Sequence, residues 1–295
     1  MFRKTAHDFD QELLDLFDAY VHGGIDRRSF LDKAAKFAVG GVTAMMLLDQ
    51  LSPDFAAQAV DAGDKRIDAK YLEFDSPKGY GRARGYFAHS KEAKGKLPGV
   101  LVIHENRGLN PHIEDIARRL ALERFLAFAP DALFTLGGYP GDEDTARELF
   151  PRLDQAKTRE DFVAAAAFLK SHPQCTGRIG AVGFCYGGGM VSYLATRLGS
   201  DLSAAVCFYG SAPPSEDVPK IKAPLMVHSA EHDDRINAGW PEFERALKAA
   251  NVHYERFLYP GTQHGFNNDT TPRYDAEAAK LAWGRTLAFF EKHLR

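Results

Sequence analysis

The most informative part of the chain is the segment Ile179-Gly180-Ala181-Val182-Gly183-Phe184-Cys185-Tyr186-Gly187-Gly188-Gly189. Its apolar first half is typical of a strand buried in a sheet, and the residues after Cys185 favour the start of a helix. Glycines two positions before and after Cys185 permit a tight turn, because a Cβ there would collide with the neighbouring strand or helix. The segment predicts a nucleophilic cysteine raised above the sheet, beside the first N–H groups of a helix. The alternative is a glycine-rich helix start with a buried structural cysteine.

The segments on both sides of this turn alternate between strand and helix patterns. Apolar runs predict strands at residues 71–74, 84–88, 99–104, 125–129, 179–184, 204–209, 224–229 and 254–259. Amphipathic spacing predicts helices at residues 113–123, 143–150, 159–171, 241–250 and 275–293. Such alternation predicts an α/β fold, in which a mostly parallel, doubly wound sheet is covered by helices on both faces.

Two later loops contain the partners that a cysteine nucleophile needs. Asp233 follows the predicted strand 224–229, with Asp234 as the second choice, and His264 lies between the last predicted strand and the last predicted helix. A histidine can take the thiol proton near neutral pH, and a carboxylate fixes its tautomer and stabilises its cation. The order nucleophile, acid, base is that of the α/β-hydrolase fold. The alternative for Asp233 is a solvated acidic loop.

From about residue 70 to 295 the chain resembles the dienelactone hydrolases (carboxymethylenebutenolidases), small α/β-hydrolase proteins with a cysteine nucleophile. The resemblance rests on Gly183-Phe184-Cys185-Tyr186-Gly187-Gly188, on Asp233, on Tyr259-Pro260-Gly261-Thr262-Gln263-His264-Gly265-Phe266, and on Glu105 after the strand 99–104. It implies hydrolysis of small esters or lactones through a thioester. The alternative on the same fold is a non-hydrolytic redox or ligand-binding protein whose cysteine is not acylated.

The resemblance also implies roles for residues around the cysteine. Glu105 is expected to contact the resting thiol and to help convert it to the thiolate, while the backbone N–H groups of Asn106 and Tyr186 would form an oxyanion hole. Apart from the resemblance, Arg107 and Phe266 are expected to bind the substrate, with Arg107 as a cation on the other side of the pocket. For Glu105, an ion pair with Arg107 is the alternative.

One stretch departs from the family pattern. Dienelactone hydrolases hold a substrate carboxylate with arginines, one of them shortly after the catalytic histidine, but the first arginine after His264 in this chain is Arg273. The reaction class is therefore a firmer expectation than dienelactone as the substrate.

Residues 1–68 are predicted to form an N-terminal extension to a catalytic domain at 69–295. Gln11–Val21 has the apolar spacing of an amphipathic helix. After it come Arg27-Arg28-Ser29-Phe30-Leu31, a weakly apolar run and Ala57-Gln58-Ala59, which together resemble a twin-arginine export signal with a peptidase site. This pattern predicts export to the periplasm.

The alternative for the extension is a set of helices that stays attached and packs on the domain of a cytoplasmic protein. It is favoured by residues 1–26, which carry six acidic and two basic side chains, unlike the basic start of an ordinary leader. The apolar run Phe37–Leu48 has 12 residues, fewer than the about 20 that a membrane-spanning helix needs.

The composition excludes several classes of protein. The hydrophobic content of 45% is that of a globular protein, and the net charge of −3 without a long basic run argues against a nucleic-acid partner. Three cysteines cannot form a disulfide scaffold. The sequence lacks His-Glu-x-x-His and Cys-x-x-Cys, so we predict no metal and no cofactor. The predicted partner is a small-molecule ester or lactone, and the sequence makes no prediction of the oligomeric state.

Overall fold

Eight strands form one sheet at the centre of the protein, in a computed structural model that describes residues 4–295. The spatial order is β1-β2-β4-β3-β5-β6-β7-β8. The pairs β1–β2 and β2–β4 are antiparallel, and the other neighbouring pairs are parallel. The strands are Ile67–Ser76 (β1), Gly81–Ser90 (β2), Leu97–Ile103 (β3), Leu126–Pro130 (β4), Cys175–Phe184 (β5), Ala204–Phe208 (β6), Leu225–His232 (β7) and Tyr254–Gln263 (β8).

Ten α-helices lie within the described part of the chain, three of them before the sheet begins. They are Gln11–Val21 (α1), Arg27–Ala34 (α2), Ala44–Leu51 (α3), Pro111–Leu122 (α4), Glu143–Leu149 (α5), Gln155–Ser171 (α6), Tyr186–Leu198 (α7), Asp234–Asn237 (α8), Trp240–Ala249 (α9) and Ala276–Leu294 (α10). The mostly parallel sheet with helices on both faces confirms the predicted α/β-hydrolase fold.

The core has one apolar layer on each face of the sheet. Successive side chains of a strand point to opposite faces, so in β3 Leu101 and Ile103 pack in the layer with α6 and α7, whereas Val100 and Val102 pack in the layer with α4 and α10. All four side chains are fully buried. Burial of each contributes about 1.5–3 kcal/mol, which makes β3 a rigid support for the loop that follows it.

The turn from β5 to α7 has the geometry that its glycines predict. Cys185 has φ +56° and ψ −114°, a left-handed conformation that costs a residue with a Cβ about 1–3 kcal/mol. A Cβ on Gly183 would lie 2.1 Å from the Gly187 carbonyl oxygen, and one on Gly187 would lie 2.2 Å from the Ile103 carbonyl oxygen. The close approach of α7 to β5 and β3 therefore requires glycine at both positions.

Several elements extend beyond the predicted bounds, for identifiable reasons. In β1 the predicted strand 71–74 covers only the centre, because exposed polar residues flank it in a ten-residue antiparallel pairing with β2. In α6 the helix begins at Gln155, four residues before the predicted start at 159, since the Asp154 side chain accepts hydrogen bonds from the Ala156 and Lys157 N–H groups and caps it.

The N-terminal helices have an apolar cluster of their own. Phe17 of α1, Phe30 of α2 and Leu51 of α3 are buried in it, and the Phe17 and Phe30 rings meet edge to face. The apolar run Phe37–Leu48 is not one helix, since the chain turns at Gly40 and Gly41, which have φ of +63° and +85°. No helix among residues 4–295 has the length and apolarity to cross a membrane.

The N-terminal helices pack on the carboxyl end of the sheet. Tyr20 and Arg27 both bind the Asp144 carboxylate of α5. At the other end of α1, the amides of Gln11 and Gln263 exchange hydrogen bonds of 2.6 and 3.1 Å. The residues before β1 therefore contact the same edge of the sheet that carries the Cys185 turn.

Two glycine-to-alanine substitutions should distinguish the effect of close backbone packing on stability from the effect of helix propensity. Gly187→Ala should lower the free energy of unfolding by about 3 kcal/mol, the upper part of the range for overpacking, because backbone atoms block its Cβ. Gly284→Ala, in α10 with open space around its Cβ, should raise it by up to about 1 kcal/mol. Urea unfolding followed by circular dichroism measures both values. Equal stability of the two variants would contradict the packing account.

Candidate active site

The first pair of functional residues is an imidazole and a carboxylate. His264 follows β8 and Asp233 follows β7, and His264 Nδ1 lies 2.6 Å from Asp233 Oδ2. Both side chains are buried. An ionised carboxylate only accepts hydrogen bonds, so Nδ1–H donates and Nε2 faces away from the aspartate. Asp234, the second choice for this role, is exposed at the start of α8.

The Cys185 thiol lies beside this pair, and a second histidine reaches it from the N-terminal helices. His22, directly after α1, has its Nε2 3.3 Å from Cys185 Sγ. The Sγ atom and one ring nitrogen each of His22 and His264 all lie within 4.8 Å of one another. The two rings meet edge to face with their centroids 4.6 Å apart. The sulfur therefore lies next to two imidazoles that also contact each other.

His22 is also oriented through its Nδ1 atom. Its Nδ1 lies 2.9 Å from the Asp18 carbonyl oxygen and 3.2 Å from the Asp18 carboxylate, one helical turn earlier. Asp18 in turn pairs with Arg273 at 3.3 Å. Because Nδ1–H donates within α1, Nε2 is the nitrogen that faces the sulfur.

The charges of this cluster favour a thiolate. Burial alone would raise the pKa of the Cys185 thiol, but the positive charges of His264 and His22 outweigh burial and lower the pKa to about 6. Burial opposes the charge on His264, yet the thiolate and Asp233 raise its pKa to about 10. The same balance, with Asp18 as the carboxylate, raises the pKa of His22. The lowered pKa of the thiol and the raised pKa of His264 both favour a thiolate–imidazolium pair.

Glu105 has a different contact from the one that the sequence predicts. Its carboxylate accepts a hydrogen bond of 3.1 Å from Asn268 Nδ2. Among residues 4–295, no hydrogen bond joins Glu105 to the Cys185 sulfur, and His22 is the side chain bonded to the thiol. Nor is Glu105 in an ion pair with Arg107, because that guanidinium lies 3.6 Å from Glu143 instead.

Asn106 and Arg107 hold the N-terminal helices in place. Asn106 Nδ2 and an Arg107 Nη both donate to the Val21 carbonyl oxygen, at 3.0 and 2.9 Å. Arg107 is buried, and its guanidinium is paired with α1 and with Glu143. The two residues predicted for the oxyanion hole and for substrate binding thus contact the residue before His22.

The other two predicted residues lie on either side of the catalytic turn. Tyr186 is the first residue of α7, so its backbone N–H has no hydrogen-bond acceptor within the helix. Phe266, predicted to bind substrate, is fully buried and packs against Tyr259 and Tyr209 with ring centroids 4.9 and 5.6 Å apart. Its side chain supports the histidine loop from the core and is not positioned to touch a substrate.

The space beside the cluster is small. A cavity of about 260 Å³ borders His264, Asp233 and Asp18, and one of about 50 Å³ borders Glu105 and Arg107. Helix α1 supplies part of both walls. A larger cavity of about 830 Å³ lies between β8 and α10, and no residue of the cluster lines it.

The cluster also has donors that suit a metal ion. One thiolate and two imidazoles are ligands that zinc prefers, and both imidazoles have a carboxylate on the other nitrogen, as zinc-bound histidines do. A metal here would occupy the sulfur lone pair that a nucleophile needs. The same atoms therefore serve either metal binding or acyl transfer, and the chemistry of the turn favours acyl transfer.

Three residues of the site were not predicted from the sequence. His22 contacts the Cys185 thiol, and Asp18 contacts the His22 imidazole. Arg273 lies over the histidine loop, 3.5 Å from the position that a Cβ on Gly265 would occupy. The spacing Asp18-x-x-x-His22 places a carboxylate and an imidazole on one helix face. This spacing can be recognised in the sequence, but it does not indicate that His22 contacts Cys185, which is 163 residues away.

Comparisons with known proteins cover both parts of the chain. Residues 83–294 match the model of the dienelactone hydrolase family, and residues 1–37 match a second model, described as YqhI-like. A "putative hydrolase fragment YghX" of Escherichia coli K12 is 48% identical over 114 residues, which cover 38% of this chain and 97% of that protein. A "putative carboxymethylenebutenolidase" of the same organism is 33% identical over 223 residues, which cover 70% of this chain and 82% of that protein.

A solved structure extends the similarity to the fold. The crystal structure of a "putative dienelactone hydrolase" from Klebsiella pneumoniae aligns with a TM-score of 0.67 and 32% identity. The alignment covers 76% of this chain and 99% of that one. These matches bear on the family and the fold, and the roles of single side chains rest on the geometry above.

The lowered pKa predicts an unusually reactive thiol. Alkylation of Cys185 by iodoacetamide should rise with pH around a midpoint of about 6, compared with about 8.5 for a free cysteine. Asp233→Asn should move the midpoint upward, since an amide does not stabilise the His264 cation. Peptide mass spectrometry gives the labelling rate at each pH.

Cys175 and Cys207 provide internal controls for this experiment. Burial raises the pKa of both thiols, that of Cys207 to about 11, so neither should be labelled at neutral pH. A midpoint near that of a free cysteine in the wild-type protein would show that the imidazoles do not stabilise the thiolate.

Proposed function

The chain belongs to the dienelactone hydrolase family, and we propose that it hydrolyses a small ester or lactone through a thioester on Cys185. The observation that carries this proposal is the placement of the Cys185 sulfur beside His264, whose other nitrogen is held by Asp233 at 2.6 Å. Nucleophile, base and orienting acid are the three parts that covalent acyl transfer requires.

In the first half of the reaction the thiolate acts on the ester carbonyl. The Cys185 sulfur attacks the carbonyl carbon, and the carbonyl oxygen becomes an oxyanion. The bond to the leaving oxygen then breaks while the His264 cation donates its Nε2 proton to that oxygen. The products are a thioester on Cys185 and an alcohol; with a lactone, the hydroxyl stays attached to the acyl group.

The second half returns the enzyme to its resting state. Neutral His264 takes a proton from a water molecule, and the hydroxide adds to the thioester carbonyl. Collapse of the intermediate breaks the carbon–sulfur bond, and the electron pair returns to the sulfur. The products are the carboxylic acid and the thiolate–imidazolium pair.

The oxyanion of both steps needs hydrogen-bond donors. We assign this role to the backbone N–H groups of Tyr186, at the start of α7, and of Asn106, in the loop after β3. The strained backbone of Cys185 supports the assignment, since it brings the sulfur and the start of α7 to the same point.

The substrate is a small molecule without a required carboxylate. The cavities beside the cluster total only a few hundred Å³. The two nearby arginines already have anionic partners, because Arg107 lies beside Glu143 and Arg273 pairs with Asp18. A carboxylate on the substrate would have to compete with Glu143 and Asp18 for these two arginines.

The location of the protein stays a prediction with two alternatives. The twin-arginine pattern predicts export to the periplasm, whereas helices that stay attached predict a cytoplasmic enzyme. Cleavage after Ala59 would remove α1 and with it His22. N-terminal sequencing of the protein from its native host distinguishes them.

Substitution of the nucleophile tests the proposal. Cys185→Ala should lower kcat/KM for p-nitrophenyl acetate by at least about a thousandfold, and Cys185→Ser should also lose most activity because a hydroxyl needs a stronger base. Cys175→Ala, the same change at a buried cysteine away from the site, should stay near wild type. An alanine variant that keeps full esterase activity would eliminate the thioester mechanism and leave the redox or ligand-binding alternative.

A further inference from the structure

The most unusual feature of the site is that one of its two imidazoles comes from outside the catalytic domain. His22 belongs to the segment 1–37, which matches a different family model from residues 83–294. Its Nε2 lies 3.3 Å from the nucleophilic sulfur. The segment is held there by contacts from several elements of the domain, including the bonds of Asn106 and Arg107 to Val21.

The two imidazoles have related arrangements. The Nδ1 of His264 bonds the Asp233 carboxylate at 2.6 Å, whereas the Nδ1 of His22 bonds the Asp18 carbonyl oxygen at 2.9 Å and has the Asp18 carboxylate 3.2 Å away. Each histidine has its other nitrogen near the Cys185 sulfur. A histidine that only filled space would not need a carboxylate partner. The carboxylate fixes the ring orientation and stabilises the cation, which is the form that donates to a thiolate.

We propose that His22 is a second catalytic histidine, which donates a hydrogen bond to the Cys185 thiolate from a position next to the His264 ring. The proposal rests on the thioester mechanism proposed above. It makes the N-terminal segment part of the active site.

The structure assigns the two histidines different tasks. His264 transfers protons to the leaving oxygen and from water. His22 keeps its proton and stabilises the sulfur when it is negative: in the resting enzyme, and again when the carbon–sulfur bond of the thioester breaks and its electron pair returns to Sγ. The step moves no proton through His22, so the atom balance of the hydrolysis is unchanged.

Other charges around the sulfur set the background for this effect. Asp18 belongs to α1 and pairs with Arg273. Glu105, Arg107 and Asp233 are the other charged groups near the cluster. Two cations and three anions thus surround the cluster besides the histidines. Loss of the His22 cation removes a positive charge that is in hydrogen-bond contact with the sulfur.

The test measures the thiol itself in the full-length protein. His22→Ala should raise the midpoint of Cys185 alkylation by about one pH unit, which slows labelling about fivefold at pH 6 and leaves the rate at high pH unchanged. His22→Gln keeps a hydrogen-bonding side chain but not the charge, and should shift the midpoint in the same direction. Asp18→Asn should give a smaller shift of the same sign.

Activity gives a second readout. His22→Ala and His22→Gln should lower kcat/KM for p-nitrophenyl acetate about tenfold or more, with the loss greatest at acidic pH. His7→Gln, a change at an exposed histidine of the same segment, should leave the midpoint and the activity unchanged. Circular dichroism melting verifies that each variant is folded; if His22→Ala is not, the glutamine and Asp18→Asn variants carry the test.

The two proposals fail in different ways. If His22→Gln and Asp18→Asn are alkylated with the wild-type midpoint while His264→Gln is not, His22 has no catalytic role and the thioester mechanism stands. If Cys185→Ala keeps its esterase activity, the mechanism falls whatever the alkylation experiment shows. A large drop in activity of the His22 variants with an unchanged midpoint would assign His22 a structural role and overturn the proposal.

Discussion

The site depends on an arrangement that costs free energy, the burial of a sulfur atom in its negatively charged form. Without partners, Cys185 in this position would hold its proton, because burial raises the pKa of a thiol. The imidazoles of His264 and His22 reverse that preference, and Asp233 and Asp18 keep the imidazoles charged and oriented. The proposed nucleophile therefore depends on five side chains rather than on the cysteine alone.

The fold brings these five side chains together from distant parts of the chain. Parallel strands end at the same edge of the sheet, so the residues after β5, β7 and β8 lie close to one another. The strain at Cys185 is supported by the rigid strands on either side and by glycines that let α7 approach them. Helix α1 then closes the site from above and brings the fourth and fifth members, His22 and Asp18.

Much of this arrangement can be predicted from the sequence, and the remainder has a physical reason for being missed. Strands buried on both faces produce continuous apolar runs, so β3 and β5 can be predicted from the sequence. The glycines around Cys185 predict the turn that follows β5. Element ends set by a side-chain cap, such as Asp154 at α6, carry a weaker signal. Where α1 packs depends on contacts such as Tyr20 and Arg27 with Asp144, more than a hundred residues away. No local pattern encodes that distance, and so His22 was not predicted.

The most direct test of the central claim is the ultraviolet absorbance of the thiolate, measured as a pH titration of the wild-type protein against Cys185→Ala. We predict a difference of one thiolate per chain at neutral pH, which disappears as the pH falls through about 6. If the difference is absent at neutral pH and develops only near the pKa of about 8.5 of a free cysteine, the sulfur is not held as a thiolate and the account is contradicted.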